Sequence, residues 1–262
     1  TDGAYHIGET VTVPVTGYQA ADNPSAYTFL GWTTVNPSSY VAGSSPLYTM
    51  AAGKQFIMTA GTRDTAKYNL NANVRDHGGY GVTLYPIFRE NTITITYTYA
   101  NGSSGRGTIS KLTETINMAS GRPDGSTASA NNGYKFVRWS TTQDGNTAVN
   151  AAWVTGGKLK PQATGGVFAN VTYYAVFEPM QYTVTFNIGD ASKGKWNDGD
   201  TNTTKTTAAP ITYNTALGSA NVPGVSGKTG YGFLKWVDQD GNSYTDLSNV
   251  KIMKAMTFTA QW

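Results

Sequence analysis

Apolar side chains alternate with polar ones in short runs along this chain, the period-two pattern of half-buried strands. Near the start, Val11, Val13 and Val15 alternate within residues 5–15. Two longer runs, Thr92-Ile93-Thr94-Ile95-Thr96-Tyr97-Thr98-Tyr99 and Tyr182-Thr183-Val184-Thr185-Phe186-Asn187-Ile188, each predict a strand. A further pattern occurs three times: Tyr27-Thr28-Phe29-Leu30-Gly31-Trp32, Tyr134-Lys135-Phe136-Val137-Arg138-Trp139 and Tyr231-Gly232-Phe233-Leu234-Lys235-Trp236. Tyr and Phe two apart share one face of a strand, and the Trp three further on falls on the opposite face unless a bulge intervenes. Each copy is expected to form a fixed part of a small core, Tyr27, Tyr134 and Tyr231 included.

Downstream of each Trp comes a β-rich run that ends in an aromatic. These are Val82-Thr83-Leu84-Tyr85-Pro86-Ile87-Phe88, Val171-Thr172-Tyr173-Tyr174-Ala175-Val176-Phe177 and Met256-Thr257-Phe258-Thr259-Ala260-Gln261-Trp262, and they align without a gap. Upstream, Gly8-Glu9-Thr10-Val11-Thr12-Val13-Pro14 is matched by Thr113-Glu114-Thr115-Ile116-Asn117-Met118, and more loosely by Asn214-Thr215-Ala216-Leu217 with Val222-Pro223. Self-similarity at a fixed period is the mark of a repeat architecture. The chain is expected to hold three modules, residues 1–90, 91–179 and 180–262, the first with a long insertion over 33–83 and no opening strand.

An opening Tyr-x-Val-x-Phe strand, a Gly-Glu-Thr-Val-x-x-Pro segment, Gly-Tyr-x-Phe-x-x-Trp and a closing aromatic together resemble the Listeria–Bacteroides repeat, also called the internalin B-repeat. The third copy matches most fully, with Lys228-Thr229-Gly230-Tyr231-Gly232-Phe233-Leu234-Lys235-Trp236 and Trp262. The first departs most, with Ala26 before Tyr27 and Phe88 where Trp is usual. The resemblance implies a mainly β chain, a tandem array of small β-grasp-like modules. It also implies spacing, and sometimes adhesion, on a bacterial surface.

The insertion of the first module carries Tyr40, Tyr48, Phe56, Ile57, Tyr68 and Leu70, and structureless loops beyond ~12–15 residues are uncommon. A hairpin of Gln55-Phe56-Ile57-Met58 with Lys67-Tyr68-Asn69-Leu70 is one way to fill it, and the lost opening strand leaves an edge to be paired. The linkers Arg89-Glu90-Asn91 and Glu178-Pro179-Met180-Gln181 are short and lack a flexible Gly/Ser tract, which predicts a semi-rigid array. Residues 109–118 fit either a helix through Ile109, Leu112 and Ile116 or a strand, and the match to Glu9–Val13 favours the strand. Asp144-Gly145 and Asp240-Gly241 after the second and third Trp predict hairpins with type I′ turns, which need positive φ at both central residues.

Composition narrows the function. Charged residues are 13% of the chain, against a usual ~25%, and 30 glycines accompany abundant Thr, Ser and Asn, the profile of an extracellular β-protein. The net charge of +3 is small and scattered, with no basic stripe to track nucleic acid. Absence of cysteine excludes disulfides and thiolate metal sites. No apolar run reaches the ~18 residues of a membrane span. The N-terminus lacks signal-peptide features, so the chain reads as a fragment of a longer protein.

Candidate chemistry is sparse. Asp238-Gln239-Asp240-Gly241-Asn242, with Asp246 beyond, offers hard oxygens of the kind calcium prefers, although its Gly stands fourth where an EF-hand needs it sixth. Asp238, Asp240 and Asn242 are the metal candidates, against the plainer reading of a hairpin turn. Asn197-Asp198-Gly199-Asp200 is a second acidic turn. Lys228-Thr229-Gly230 and Ser248-Asn249-Val250-Lys251 match penicillin-recognising motifs in the wrong order, as chance allows. Only His6 and His77 are available for imidazole chemistry, neither near a nucleophile elbow, and the chain is read as non-enzymatic. Trp32, Trp139, Trp236 and Trp262 belong to the repeat. Trp196 and Trp153 do not, and either stack on a ligand from a loop or fold back over an open edge.

The expected function is a stalk or spacer at an extracellular, cell-surface or cell-wall location. Neighbouring wall or surface domains are its expected partners, with a host glycan or protein as a further candidate and no resident cofactor beyond weak calcium. The alternatives are an adhesin using the first module's insertion and Trp196, and accessory repeats of a larger surface enzyme.

Overall fold

The computed structural model describes residues 10–12, 22–33, 55–57 and 85–262. The architecture is mainly β, in several small sheets. Helical content among the described residues is limited to 3-10 turns at Pro24–Ala26, Ala151–Trp153 and Ser219–Asn221. No helix among them is long and apolar enough to cross a membrane. The chain divides into two compact units. One takes residues up to Thr94 with Thr115–Pro123 and Gln162–Asn170; the other takes Ile95–Glu114, Asp124–Pro161 and Val171–Trp262.

Within the first unit, Tyr27–Thr33 runs antiparallel to Tyr85–Glu90, with Phe29 opposite Phe88 and Gly31 opposite Ile87. One extra residue, Leu30, therefore sits on the motif strand as a bulge. Gln55–Ile57 pairs antiparallel with Thr10–Thr12. The Lys67–Leu70 arm of the expected hairpin lies outside the described residues, as do His6 and His77.

In the second unit, one strand arrangement occurs twice. The closing strand Val171–Pro179 lies parallel to the opening strand Thr92–Tyr99 on one side, Val171 opposite Ile95. On its other side it lies antiparallel to Tyr134–Ser140, with Trp139 opposite Ala175 and Phe136 opposite Phe177. Further on, Met256–Gln261 lies parallel to Val184–Asn187 and antiparallel to Lys235–Asp238, with Trp236 opposite Ala260. The register across Tyr134–Ser140 shifts by one at Val137, the position of Leu30 in the first motif.

The bulge resolves the spacing problem posed by the motif. Without it, Phe and the Trp three residues on would face opposite sides of the strand. With it, Phe29 and Trp32 have ring centroids 5.5 Å apart and Phe136 and Trp139 6.1 Å; Phe233, just before the strand Lys235–Asp238, lies 5.5 Å from Trp236. Trp139 is fully buried, donates its indole N–H to the Gly157 carbonyl at 2.9 Å and meets the Tyr97 ring edge-on at 5.7 Å. The last repeat closes a core from its own residues, among them Val184, Phe186, Ile188, Trp196, Trp236, Leu247, Ile252 and Phe258. Each large apolar side chain so buried contributes about 1.5–3 kcal/mol.

Of two expectations about local structure, one holds and one changes. Residues 109–118 contain strands Gly107–Ile109 and Thr113–Asn117, in line with the strand reading. The Asp-Gly turns are not type I′, because φ is positive at Gly145 (79°) and Gly241 (87°) but at neither Asp144 nor Asp240. Glycine alone takes the left-handed conformation, which costs an L-residue roughly 1–2 kcal/mol. The hairpin itself forms after Trp236, where Val237 pairs with Ser243.

Candidate functional site

The acidic turn after Trp236 is built around one carboxylate. Asp238 is 6% exposed and accepts from the N–H groups of Asp240 (2.9 Å) and Asn242 (2.9 Å), from Asn242 Nδ2 (3.0 Å) and from the Tyr244 hydroxyl (2.9 Å). Burial, the largest influence, pushes its pKa up, and the donors of Asn242, Tyr244 and Asp240 outweigh it, leaving the carboxyl below its usual value. Burial, and then the bond to Asp238, push the Tyr244 hydroxyl up. Asp240 pairs with Lys254 at 2.6 Å, and Asp246 accepts from the Ser248 N–H and hydroxyl. The oxygens of the candidate calcium loop thus close the turn internally. Among the described residues no group of three or more His, Asp or Glu is placed to hold a metal ion. The other acidic turn places Asp198 and Asp200 on Lys205.

Trp196 lies inside the core rather than on a loop. It is 2% exposed, donates its indole N–H to the Asn202 carbonyl at 2.7 Å and carries the Lys205 ammonium 5.5 Å above its ring. A ring so enclosed has no face for a sugar or a partner. Its strand explains why: Gly194–Trp196 pairs with Val225–Gly227 as Gly107–Ile109 pairs with Ala128–Ala130. Trp196 therefore occupies the place of Ile109. The structure thus reveals a further recurring landmark, a basic residue followed by Gly-x-apolar, which reads Arg106-Gly107-Thr108-Ile109 and Lys193-Gly194-Lys195-Trp196. Its glycine is dictated by packing, since a Cβ at Gly107 stands 2.3 Å from the Phe177 ring and one at Gly194 1.8 Å from the Trp262 ring. Trp153 is half-buried at the end of a 3-10 turn that Asn150 caps.

The repeat aromatics separate into three kinds. Trp32, Trp139 and Trp236 are buried, and Phe29, Phe136, Phe233 and Trp262 are half-buried against them. The tyrosines do not share that core. Tyr27 and Tyr134 are half-buried at the outer ends of their strands, and Tyr231 is 50% exposed.

Those outer ends are where one repeat leads into the next. In the first unit the Asn91 N–H donates to the Ala26 carbonyl at 2.8 Å, and the Asn91 carbonyl accepts from the Met118 N–H at 2.8 Å. In the second unit the Met180 N–H donates to the Gly133 carbonyl at 2.8 Å, and the Met180 carbonyl accepts from the Tyr213 N–H at 2.8 Å. Asn91 and Met180 occupy the same position, three residues after the closing aromatics Phe88 and Phe177. Ala26 and Gly133 each precede the motif Tyr. One linker residue thus bridges the motif strand to the following repeat through both of its backbone polar groups.

Side chains reinforce the relay differently at the two places. Glu90 accepts from the Ala119 N–H (2.7 Å), the Ser120 N–H (2.6 Å) and the Ser120 hydroxyl (2.6 Å). The Ser120 hydroxyl first, and then the two N–H groups, hold its carboxyl below the usual 4.5. At the second junction Pro179 stands in place of Glu90, and rings do the work. Tyr134 meets Tyr213 edge-on at 5.3 Å, under the Arg106 guanidinium at 5.8 Å.

No family model, curated protein or solved structure matches the chain.

Proposed function

We propose that this chain is the non-catalytic tandem-repeat region of a bacterial cell-surface protein, a semi-rigid stalk of β-grasp-like modules that holds other domains away from the envelope. The observation that carries the reading is the recurrence of one backbone relay, through Asn91 and through Met180, where successive repeats meet. A linker with both backbone groups engaged has little freedom to swing, which suits a spacer and is superfluous in a chain of independently tumbling domains. The low charge and Thr-rich composition agree with an extracellular setting. The resemblance to the Listeria–Bacteroides repeat supplies the bacterial surface.

Small-angle scattering on the purified chain, with and without calcium, tests the reading. A particle about three modules long, unchanged by calcium, is the expected result. A compact particle, or one that changes shape with the ion, overturns it.

A further inference from the structure

We propose that residues 230–234 form a docking face for another repeat module of this kind, one that seats on it the edge carrying Tyr213 in the last repeat. The inference rests on the stalk reading, and its observations come from comparing the three motif strands position by position.

Gly133 and Gly230 precede the motif tyrosines and share a conformation, with φ of 82° and 88°. The local turns also agree: the Tyr134 N–H donates to the Asn131 carbonyl at 3.1 Å, and the Tyr231 N–H to the Lys228 carbonyl at 2.9 Å. A cation stands over each ring at the same distance, Arg106 at 5.8 Å from Tyr134 and Lys193 at 5.8 Å from Tyr231. Arg106 and Lys193 both come from the basic-Gly landmark, so the scaffold of the face is preserved.

What differs is the cover. A Cβ on Gly133 stands 2.2 Å from the Tyr213 ring, whereas one on Gly230 meets no atom within 4 Å. Tyr134 is half-buried under Tyr213, but Tyr231 is 50% exposed. Val137 is half-buried, but Leu234, at the same place in the motif, is 63% exposed. The Gly133 carbonyl accepts from Met180, and the Ala26 carbonyl of the first repeat accepts from Asn91. At two of three copies the end of the motif strand is bridged to the next repeat, and at the third the same glycine conformation, ring and cation recur with the ring exposed. Two large apolar side chains on one short exposed segment make a patch that water solvates poorly, and an interface centred on tyrosine suits it. The edge bearing Tyr213 is already matched to this face once within the chain, which identifies the occupant.

The test lengthens the full chain after Trp262 with a second copy of residues 178–262, so that Glu178 follows Trp262 as it follows Phe177. The added copy carries Tyr231→Ser and Leu234→Ser, which removes its own face. Amide exchange resolved by residue is the readout. The N–H of the added copy's Met180 is expected to exchange roughly tenfold or more slowly than an open linker amide, matching Met180 of the parent chain. Gly230→Ala in the parent part is expected to abolish that protection, because its methyl occupies the place of the incoming ring.

Fast exchange at the added Met180, with the added Val184 and Phe258 protected, overturns the proposal. Failure of the added copy to fold also counts against it, since residues 182–262 supply their own core and only the junction is new. Dimerisation of the parent chain that Tyr231→Ser with Leu234→Ser abolishes assigns the face to a second copy of the chain instead, and likewise overturns it. A compact scattering profile with a protected junction refutes the stalk and leaves the docking face standing, so the two readings fail separately.

Discussion

The second and last repeats bury a Trp in the same pairing, Trp139 opposite Ala175 and Trp236 opposite Ala260, yet they end differently. The motif strand of the second runs Tyr134–Ser140 and is paired from end to end apart from the bulge at Val137, whereas that of the last is confined to Lys235–Asp238. The core of such a module is thus independent of whether its outer end is covered. Burial of Phe and Trp sets the module, and the Tyr before them belongs to the junction.

The largest effect should come from the core. Trp139→Ala removes a fully buried indole and its bond to Gly157, and should cost about 3–5 kcal/mol in denaturant unfolding. Hydrogen exchange should place that loss mainly within residues 91–179; equal loss of protection in residues 182–262 would break the picture of separate cores.

Next comes a pair of glycines that isolates the junction. Gly133→Ala should cost about 2–5 kcal/mol, combining ~1–2 for a left-handed Ala with ~1–3 for the clash with Tyr213. Gly230→Ala has the same φ and open space, so only the backbone part, about 1–2 kcal/mol, should appear. Tyr213→Ala in the Gly133→Ala background should recover the difference, and equal costs at the two glycines would mean that Tyr213 does not hold the junction.

Asp238→Ala leaves the donors of Asp240, Asn242 and Tyr244 without their acceptor and should cost about 1–3 kcal/mol. Asp144, in the corresponding turn after Trp139, serves Thr142 and Asn146 at an exposed position, and Asp144→Ala should have a smaller effect on thermal stability. Stability indifferent to calcium in the parent protein, alongside a large Asp238→Ala effect, would assign the turn to folding alone.

The smallest effect separates the two junctions by pH. Glu90 has a lowered pKa in the folded chain, so its contribution is complete above the usual 4.5 and is lost as pH falls through the lower folded value. Exchange at the Ala119 and Ser120 amides should rise over that acid range, once corrected for intrinsic rates. The amides of Met180 and Tyr213, where Pro179 replaces Glu90, should not follow.

Much of the strand layout was legible in the residues, and each part for a local reason. Alternation in Thr92–Tyr99 and Tyr182–Ile188 marked strands because a half-buried strand has period two. The match of Glu114 to Glu9 correctly placed a strand at Thr113–Asn117. The closing runs ending in Phe177 and Trp262 aligned because both occupy the centre of a sheet. The core position of Trp196 is not legible in the sequence, because polarity over Lys193–Asp198 suggests a loop while its partner strand Val225–Gly227 lies about thirty residues away. The Asp238 turn fitted a hairpin or a weak cation site in the sequence, which counts oxygens without saying which donors they hold.

The sequence by itself marked the recurring strand motifs and the Phe and Trp rings that pack within them, since these follow from periodicity and side-chain size, which are properties of neighbouring residues. Tertiary structure alone decided the rest. The bulge at Leu30 and Val137 is a matter of register against a strand some forty to sixty residues away, and it brings Phe and Trp onto one side. The relay through Asn91 and Met180 uses backbone N–H and carbonyl groups that every residue but proline carries, so no side-chain pattern could announce it. Whether a motif tyrosine is covered or bare depends on what the next repeat presents, and two identical spacings, Tyr134 to Trp139 and Tyr231 to Trp236, carry no record of that difference.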